Sequence, residues 1–318
     1  MGPGASLRKL AMWIRPEPLA AVILWGGIYP AAKVGLAEIP PLAFTYLRVL
    51  LATMVLAAVS QRSRPAAVSR DLRIALLRAG VAQAAFQLLL IAGLARTTAG
   101  TSAILLAASP LMAAGWLGLT ARERSSGRHW AGLAVGLAGV ALVVRGGNAG
   151  FDRTYLAGDL LALAAAGAWA QYSLAIEPLA GALGGVRATG WAMAIAGVIL
   201  TPFALAGTAR LAWSAISWAA WTGLAYGATA GMVVAMTLWG RSMHALGPRQ
   251  TMVYVYLEPV SAVLIAAALL GEALKLGQAA GALLTFAGVW LASTGQAERG
   301  RTARAVLEVA SGDRQKTS

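Results

Sequence analysis

A carboxylate is costly inside an apolar helix, and Glu258 sits in one. It lies eleven residues after Gly247 in a run of apolar side chains, roughly 16 Å along a helix that rises about 1.5 Å per residue. In a bilayer that depth is near the midplane, where an ionisable group costs about 3 kcal/mol on insertion scales. A carboxylate there suits proton coupling or the capture of a substrate ammonium. The plainer reading is a structural pair with Arg48 or Lys33, or a packing motif. Pro259 follows directly. It has no N–H, so the carbonyl of Val255 loses its helical partner, and an exposed carbonyl beside an acid binds cations. Pro110 does the same to the carbonyl of Leu106. Helix breaks at matching places point to a binding site; simple kinks resatisfied by neighbours are the alternative.

Lys33 and Arg48 lie in the first two apolar runs. Either can hold a carboxylate or phosphate of a substrate. Against that stand snorkelling of Lys33 to the interface and pairing of either cation with Glu38 or Glu258. Trp25, Trp169 and Tyr172 are candidates to line a cavity and stack on a substrate or its ammonium; ordinary aromatic packing is the competing reading. Gln83, Gln87 and Gln171 are expensive in lipid and are expected to face inward.

Other chemistries lack their residues. The chain has no Cys and two His, which excludes thiol catalysis and disulfides and leaves no metal-ligand cluster. No Walker sequence is present, so direct ATP drive is not expected. The sequence predicts no cofactor, no metal and no enzymatic activity.

These residues need elements to position them. Of 318 residues, 58% are hydrophobic and 12% charged, with mean hydropathy +0.68. A soluble surface needs nearer a quarter charged residues, so lipid is the expected solvent. Windows of about 20 apolar residues predict ten transmembrane helices: 18–37, 41–60, 73–94, 97–120, 128–145, 157–178, 188–206, 216–240, 247–270 and 276–295. Pro40-Pro41, Arg62-Ser63-Arg64-Pro65, Gly146-Gly147-Asn148 and Gly184-Gly185 punctuate them.

The net charge of +14 would suggest nucleic acid on a soluble chain, but here the cations sit in short loops. Of the 26 Lys and Arg, 18 fall on the side of the termini and 5 on the other, with Lys33, Arg48 and Arg78 inside spans. The positive-inside rule then places both termini in the cytoplasm of a plasma or inner membrane. Trp13, Trp130, Trp191, Trp213, Trp218 and Trp239 sit near span ends and read as an interfacial belt; Trp25 and Trp169 lie deeper. Gly223, Gly227 and Gly231 form a ladder of small residues, as do Gly132 with Gly136 and Gly277 with Gly281, and each reads as a close helix contact.

The chain also repeats itself. Pro110 precedes Glu123 by thirteen residues, and Pro259 precedes Glu272 by thirteen. Gly132 matches Gly281, and Leu137-Ala-Gly-Val-Ala-Leu142 matches Phe286-Ala-Gly-Val-Trp-Leu291, all at an offset of 149; Trp25 and Trp169 match at 144. Five helices per half is an odd number, so the second half enters the membrane from the opposite side. The fold class expected is an all-α integral membrane protein with two inverted five-helix repeats. The divisions are a cytoplasmic N-terminus at 1–17, repeat one at 18–145, a linker at 146–156, repeat two at 157–295 and a basic cytoplasmic tail at 296–318.

With these residues in view the chain resembles the EamA-domain permeases of the drug/metabolite transporter superfamily. The likeness rests on Trp25-Gly-Gly…Lys33, Pro40-Pro41…Arg48, Ala107-Ala-Ser-Pro-Leu111…Glu123 and Leu137-Ala-Gly-Val140. In the second half it rests on Gly158-Asp-Leu-Leu-Ala…Trp169, Leu257-Glu-Pro-Val260…Gly271-Glu272 and Ala287-Gly-Val289. One departure is Arg122, where the family usually has Gly before the acid. The resemblance implies a ten-helix secondary transporter with a central cavity, moving amino acids or other small metabolites. Its expected partners are a small-molecule substrate, a proton at Glu258 and the lipid bilayer. A membrane-embedded enzyme acting on a lipid headgroup, or a non-transporting interaction protein, are the alternatives; neither explains an inverted repeat.

Overall fold

The structure, a computed structural model, describes residues 15–60, 69–94, 96, 105–120, 126–145, 156–270 and 276–292. Among these the chain is helical and has no strand. The helices are α1 (Pro16–Leu36), α2 (Pro41–Ser60), α3 (Arg70–Leu94), α4 (Ser109–Thr120), α5 (Gly127–Arg145), α6 (Leu156–Leu183), α7 (Gly185–Ala209), α8 (Trp218–Leu246), α9 (248–270) and α10 (Leu276–Ala292). Six of them, α1 to α3 and α6 to α8, are long and apolar enough to cross a membrane by length and composition. They are the first three helices of each expected half. Glu123, Glu272, residues 146–155 of the linker and the tail lie outside the described residues.

Breaks fall where backbone chemistry demands them. Helix α1 is interrupted at Gly27, between Pro16–Gly26 and Ile28–Leu36. Pro259 withdraws a donor from α9, and the turn before it tightens to a 3-10 segment, Val253–Tyr256. Ahead of Pro110 the chain also turns at residues 107–108, where the Ala108 N–H donates to the Leu105 carbonyl at 3.0 Å. Helix α6 does not stop at residue 178 as expected. It continues past Pro178 to Leu183 and ends at Gly184, whose φ of 79° only glycine adopts without strain.

Helix pairing is reciprocal. The most extensive contacts join α3 to α6, α1 to α8 and α2 to α7. Smaller ones join α4 to α6 and α9 to α1. Exchanging each helix for the one five further along maps this set onto itself. Helices α5 and α10 meet through glycines: a Cβ on Gly132 would strike the backbone of Ala292, and one on Gly288 the backbone of Gly136. Such faces let helices approach without side chains between them.

Two clips fix α1 against α8, antiparallel. At one end Arg241 Nη2 lies 3.1 Å from Glu17 Oε1. At the other, Ser217 caps α8 and donates both its N–H and its hydroxyl to the Glu38 carboxylate, each at 2.7 Å. Glu38 is therefore engaged by Ser217, and Arg48 has its described contact elsewhere, on Phe44. These two hydrogen bonds, the backbone one first, hold the Glu38 carboxyl below its ordinary pKa.

The largest buried cluster holds Trp25, Trp169, Tyr172 and Trp239. Trp239 was expected in the interfacial belt, and the structure overturns this: it has no exposed surface. Its N–H donates to Ser173 Oγ at 3.1 Å, so the one polar atom is satisfied in the interior. Trp130, Trp191, Trp213 and Trp218 are exposed, as an interfacial role requires.

Candidate functional site

A cavity of about 450 Å³ lies between the two halves. Its floor is Trp25 and Trp169. Its walls climb the second part of α1 through Ile28 and Ala32, the start of α2, the last turns of α3 and the residues just before α4. It reaches Leu36 and Ile91, close to the segments that join α1 to α2 and α3 to α4. The opposite half contributes Gly231, Met232 and Met236 from α8 and Val255, Glu258 and Pro259 from α9. Among the described residues the lining thus runs from the Trp25–Trp169 pair toward the end of the bundle where α1 is followed by α2.

Arg48 stands in the wall on a purpose-shaped seat. Phe44, one turn earlier on α2, places its ring 5.2 Å from the guanidinium carbon. Gly227 of α8 makes room beside it, since a Cβ there would come within 2.7 Å of Arg48 Cδ. Arg48 Nε is buried and has no hydrogen-bond partner among the described residues. The aromatic face offsets part of the cost of holding the cation in low dielectric. A buried guanidinium with an open donor is a receptor for a carboxylate or phosphate.

Gln83 and Gln87 line the cavity from α3 and are buried. Gln83 Oε1 has no donor among the described residues. Glu258 lines the wall, half-buried, directly before the Pro259 break. Leu106 and Val255, whose carbonyls the two prolines deprive of a helical donor, both face the cavity. Pro110 itself is buried at the start of α4 and does not reach it. Tyr172 stands behind Trp169, rings 5.4 Å apart, and is fully buried off the cavity. Gln171 is half-buried and also off it. The side chain of Lys33 lies outside the described residues.

The floor is an aromatic plug. Trp25 and Trp169 meet edge to face at 5.1 Å, Trp25 and Trp239 lie 5.2 Å apart, and Phe86 lies 5.3 Å from Trp169. The Trp25 N–H donates to the Gly231 carbonyl at 3.0 Å. That carbonyl belongs to a π-helical stretch of α8, Gly227–Ala235, whose wider turns offer carbonyls to side chains. Sequence reasoning missed Phe44, Phe86, Gly227 and this π segment. Phe44 was findable, because four residues before Arg48 is the same helix face. Gly227 was read as a helix contact; only Gly223 of that ladder meets a helix backbone, at the Ala31 carbonyl, while Gly227 seats Arg48 and Gly231 meets the Ile28 side chain.

Comparison with known proteins follows the same division. Two segments, residues 13–145 and 156–294, each match the EamA-like transporter family. The chain belongs to the EamA-like transporter family. It is an integral, multi-pass membrane protein, with the EamA domain repeated along its length. One relative, the "Probable terminal-alkyne amino-acid exporter" of Streptantibioticus cattleyicolor, is 30% identical over 85% of this chain and 90% of that protein. An uncharacterized transporter of Archaeoglobus fulgidus is also 30% identical, over 86% and 95%. The uncharacterized inner membrane transporter YedA of Escherichia coli is 26% identical over 80% and 82%. A solved crystal structure shares the fold at TM-score 0.74, covering 87% of this chain and 95% of that one, at 20% identity.

Proposed function

We propose that this EamA-like transporter is a secondary permease for small metabolites with opposed polar groups, amino acids or related compounds among them. The observation that carries the reading is the composition of the cavity wall. Among the described residues it contains one cation, Arg48, on one half and one carboxylate, Glu258, on the other, above an aromatic floor. A solute with an acid at one end and an amine at the other matches both poles, and its apolar body matches Trp25 and Trp169. The name of the Streptantibioticus relative points the same way.

Movement follows from the repeat. Two like halves that exchange conformations turn a cavity open to one face into one open to the other. The excess of Lys and Arg on the side of the termini puts that side in the cytoplasm, so the cavity as it stands opens outward. Glu258, at mid-membrane depth, is where a proton would couple to the change. The inner membrane is the expected location. A metabolite screen of cells overexpressing the chain tests this: a zwitterionic species should shift in the medium, and the shift should vanish with Glu258→Gln. An unchanged metabolite profile at full expression counts against it.

A further inference from the structure

We infer that this chain is an exchanger, and that Arg48 prevents it from returning empty. The inference rests on the permease reading above and goes beyond it to the coupling rule.

The two halves align residue by residue at an offset of 144 through their first two helices. Leu19-Ala20-Ala21 and Trp25 fall on Leu163-Ala164-Ala165 and Trp169, and Thr45 falls on Thr189. Helix α2 begins at Pro41 and α7 at Gly185, the same offset. Burial follows this register: Val49 and Met193 are both fully buried, and so are Ala52 and Ala196.

The same register sets an open wall beside a closed one. Ile28, Ala32 and Arg48 line the cavity. Their counterparts Tyr172, Ile176 and Ala192 are each 0% exposed. The closed side shows what the open side becomes when the halves exchange. Arg48 then takes the place that Ala192 holds now, in a cluster of apolar side chains that includes Trp169, Met193 and Met243. An alanine fits there at no electrostatic cost. A guanidinium does not: it stays charged in proteins, and sealing it from water without a partner is strongly disfavoured. Among the described residues Arg48 has an aromatic neighbour and an unused Nε donor. A solute carboxylate or phosphate carried on Arg48 neutralises the charge and permits closure. Among the described residues no carboxylate pairs with Arg48, so each crossing in one direction requires a loaded crossing in the other.

The test needs no knowledge of the solute, because the chain has no cysteine of its own. A single Ile176→Cys reports the inner chamber, and Ala32→Cys reports the outer one. Purified protein is reconstituted into solute-free liposomes and treated with a membrane-impermeant maleimide from each face in turn. Ala32→Cys should react from the outer face with Arg48, Arg48→Lys or Arg48→Met, which shows each variant folded. Ile176→Cys should stay at background with Arg48 and with Arg48→Lys, and should react at least tenfold faster with Arg48→Met. Equal, rapid reaction with and without Arg48 overturns the inference while leaving a permease: the empty chain then alternates freely, its cation neutralised internally, by Glu258 for example. No reaction at Ile176→Cys in any background overturns it together with the alternating-access reading, since no inner chamber then forms.

Discussion

Trp25 and Trp169 touch each other, edge to face, with ring centroids 5.1 Å apart. They occupy matching positions in the two halves. Residues related by a two-fold axis can meet only beside that axis, so under the proposed inverted repeat this contact lies where the halves would turn against each other. It is also the floor of the cavity. On the inverted-repeat reading, the contact between matching residues and the floor of the cavity are one place. Each indole contributes a large apolar face, and the Trp25 N–H is fixed on Gly231. A plug made of aromatic edges separates without leaving a charge or an unpaired backbone group behind.

The seam between α1 and α8 depends on the absence of a side chain. At Gly223 a Cβ would collide with the Ala31 carbonyl, whereas Gly115 has nothing within 4 Å. Gly223→Leu should therefore destabilise the protein by about 1–3 kcal/mol, the usual cost of overpacking. Gly115→Leu should be near neutral. Thermal unfolding of both variants in one detergent checks this.

The Glu38–Ser217 clip gives a pH dependence of known sign. The folded carboxyl titrates below its ordinary value. Its contribution is thus complete above the unfolded carboxylate pKa of about 4.3 and is lost as pH falls through the lower, folded one. Wild type should melt above Glu38→Gln at pH 7, and the gap should close under strong acid. Ser217→Ala should shrink the gap at pH 7, because it removes the hydroxyl donor and leaves only the N–H.

Glu258 separates coupling from packing. Glu258→Gln keeps size and hydrogen bonding and cannot ionise. If the carboxylate serves a proton or a substrate cation, transport should fall at least tenfold, about 1.4 kcal/mol or more, with unchanged melting. If it serves Arg48, melting should fall instead, and adding Arg48→Met should restore part of it. Flux in liposomes and melting in detergent are measured on the same preparations.

Much of this was legible in the residues. Hydrophobic windows found the helices, since length and apolarity are set by the bilayer. Pro259 marked a real break because a missing N–H is local chemistry. Trp25 and Trp169 were paired by the repeat before their rings were seen to meet. Trp239 was misplaced because linear distance from the end of an apolar window does not give depth when the helix runs further; α8 continues to Leu246. Tyr172 reads as a cavity-lining aromatic in the sequence, yet its ring stacks behind the Trp169 indole. The π stretch of α8 left no sign at all. Gly227–Ala235 is built of ordinary helix-compatible residues, and the structure shows only that Arg48 of α2 and Ile28 of α1 lie against its glycines.

The central claim is that solutes cross through this cavity, and one measurement addresses it most directly. Liposomes containing the purified Ala32→Cys protein are loaded with a small-metabolite extract, and the species released are identified by mass spectrometry. The same solutes are supplied outside with isotopic label, so that exchange can proceed. Ala32 faces the cavity, and a bulky maleimide placed there fills the route. The account predicts release of a limited set of small polar metabolites, faster than from protein-free liposomes, that stops when the maleimide is added. Release that continues unchanged with Ala32→Cys fully labelled, or no release beyond the protein-free rate, would contradict it.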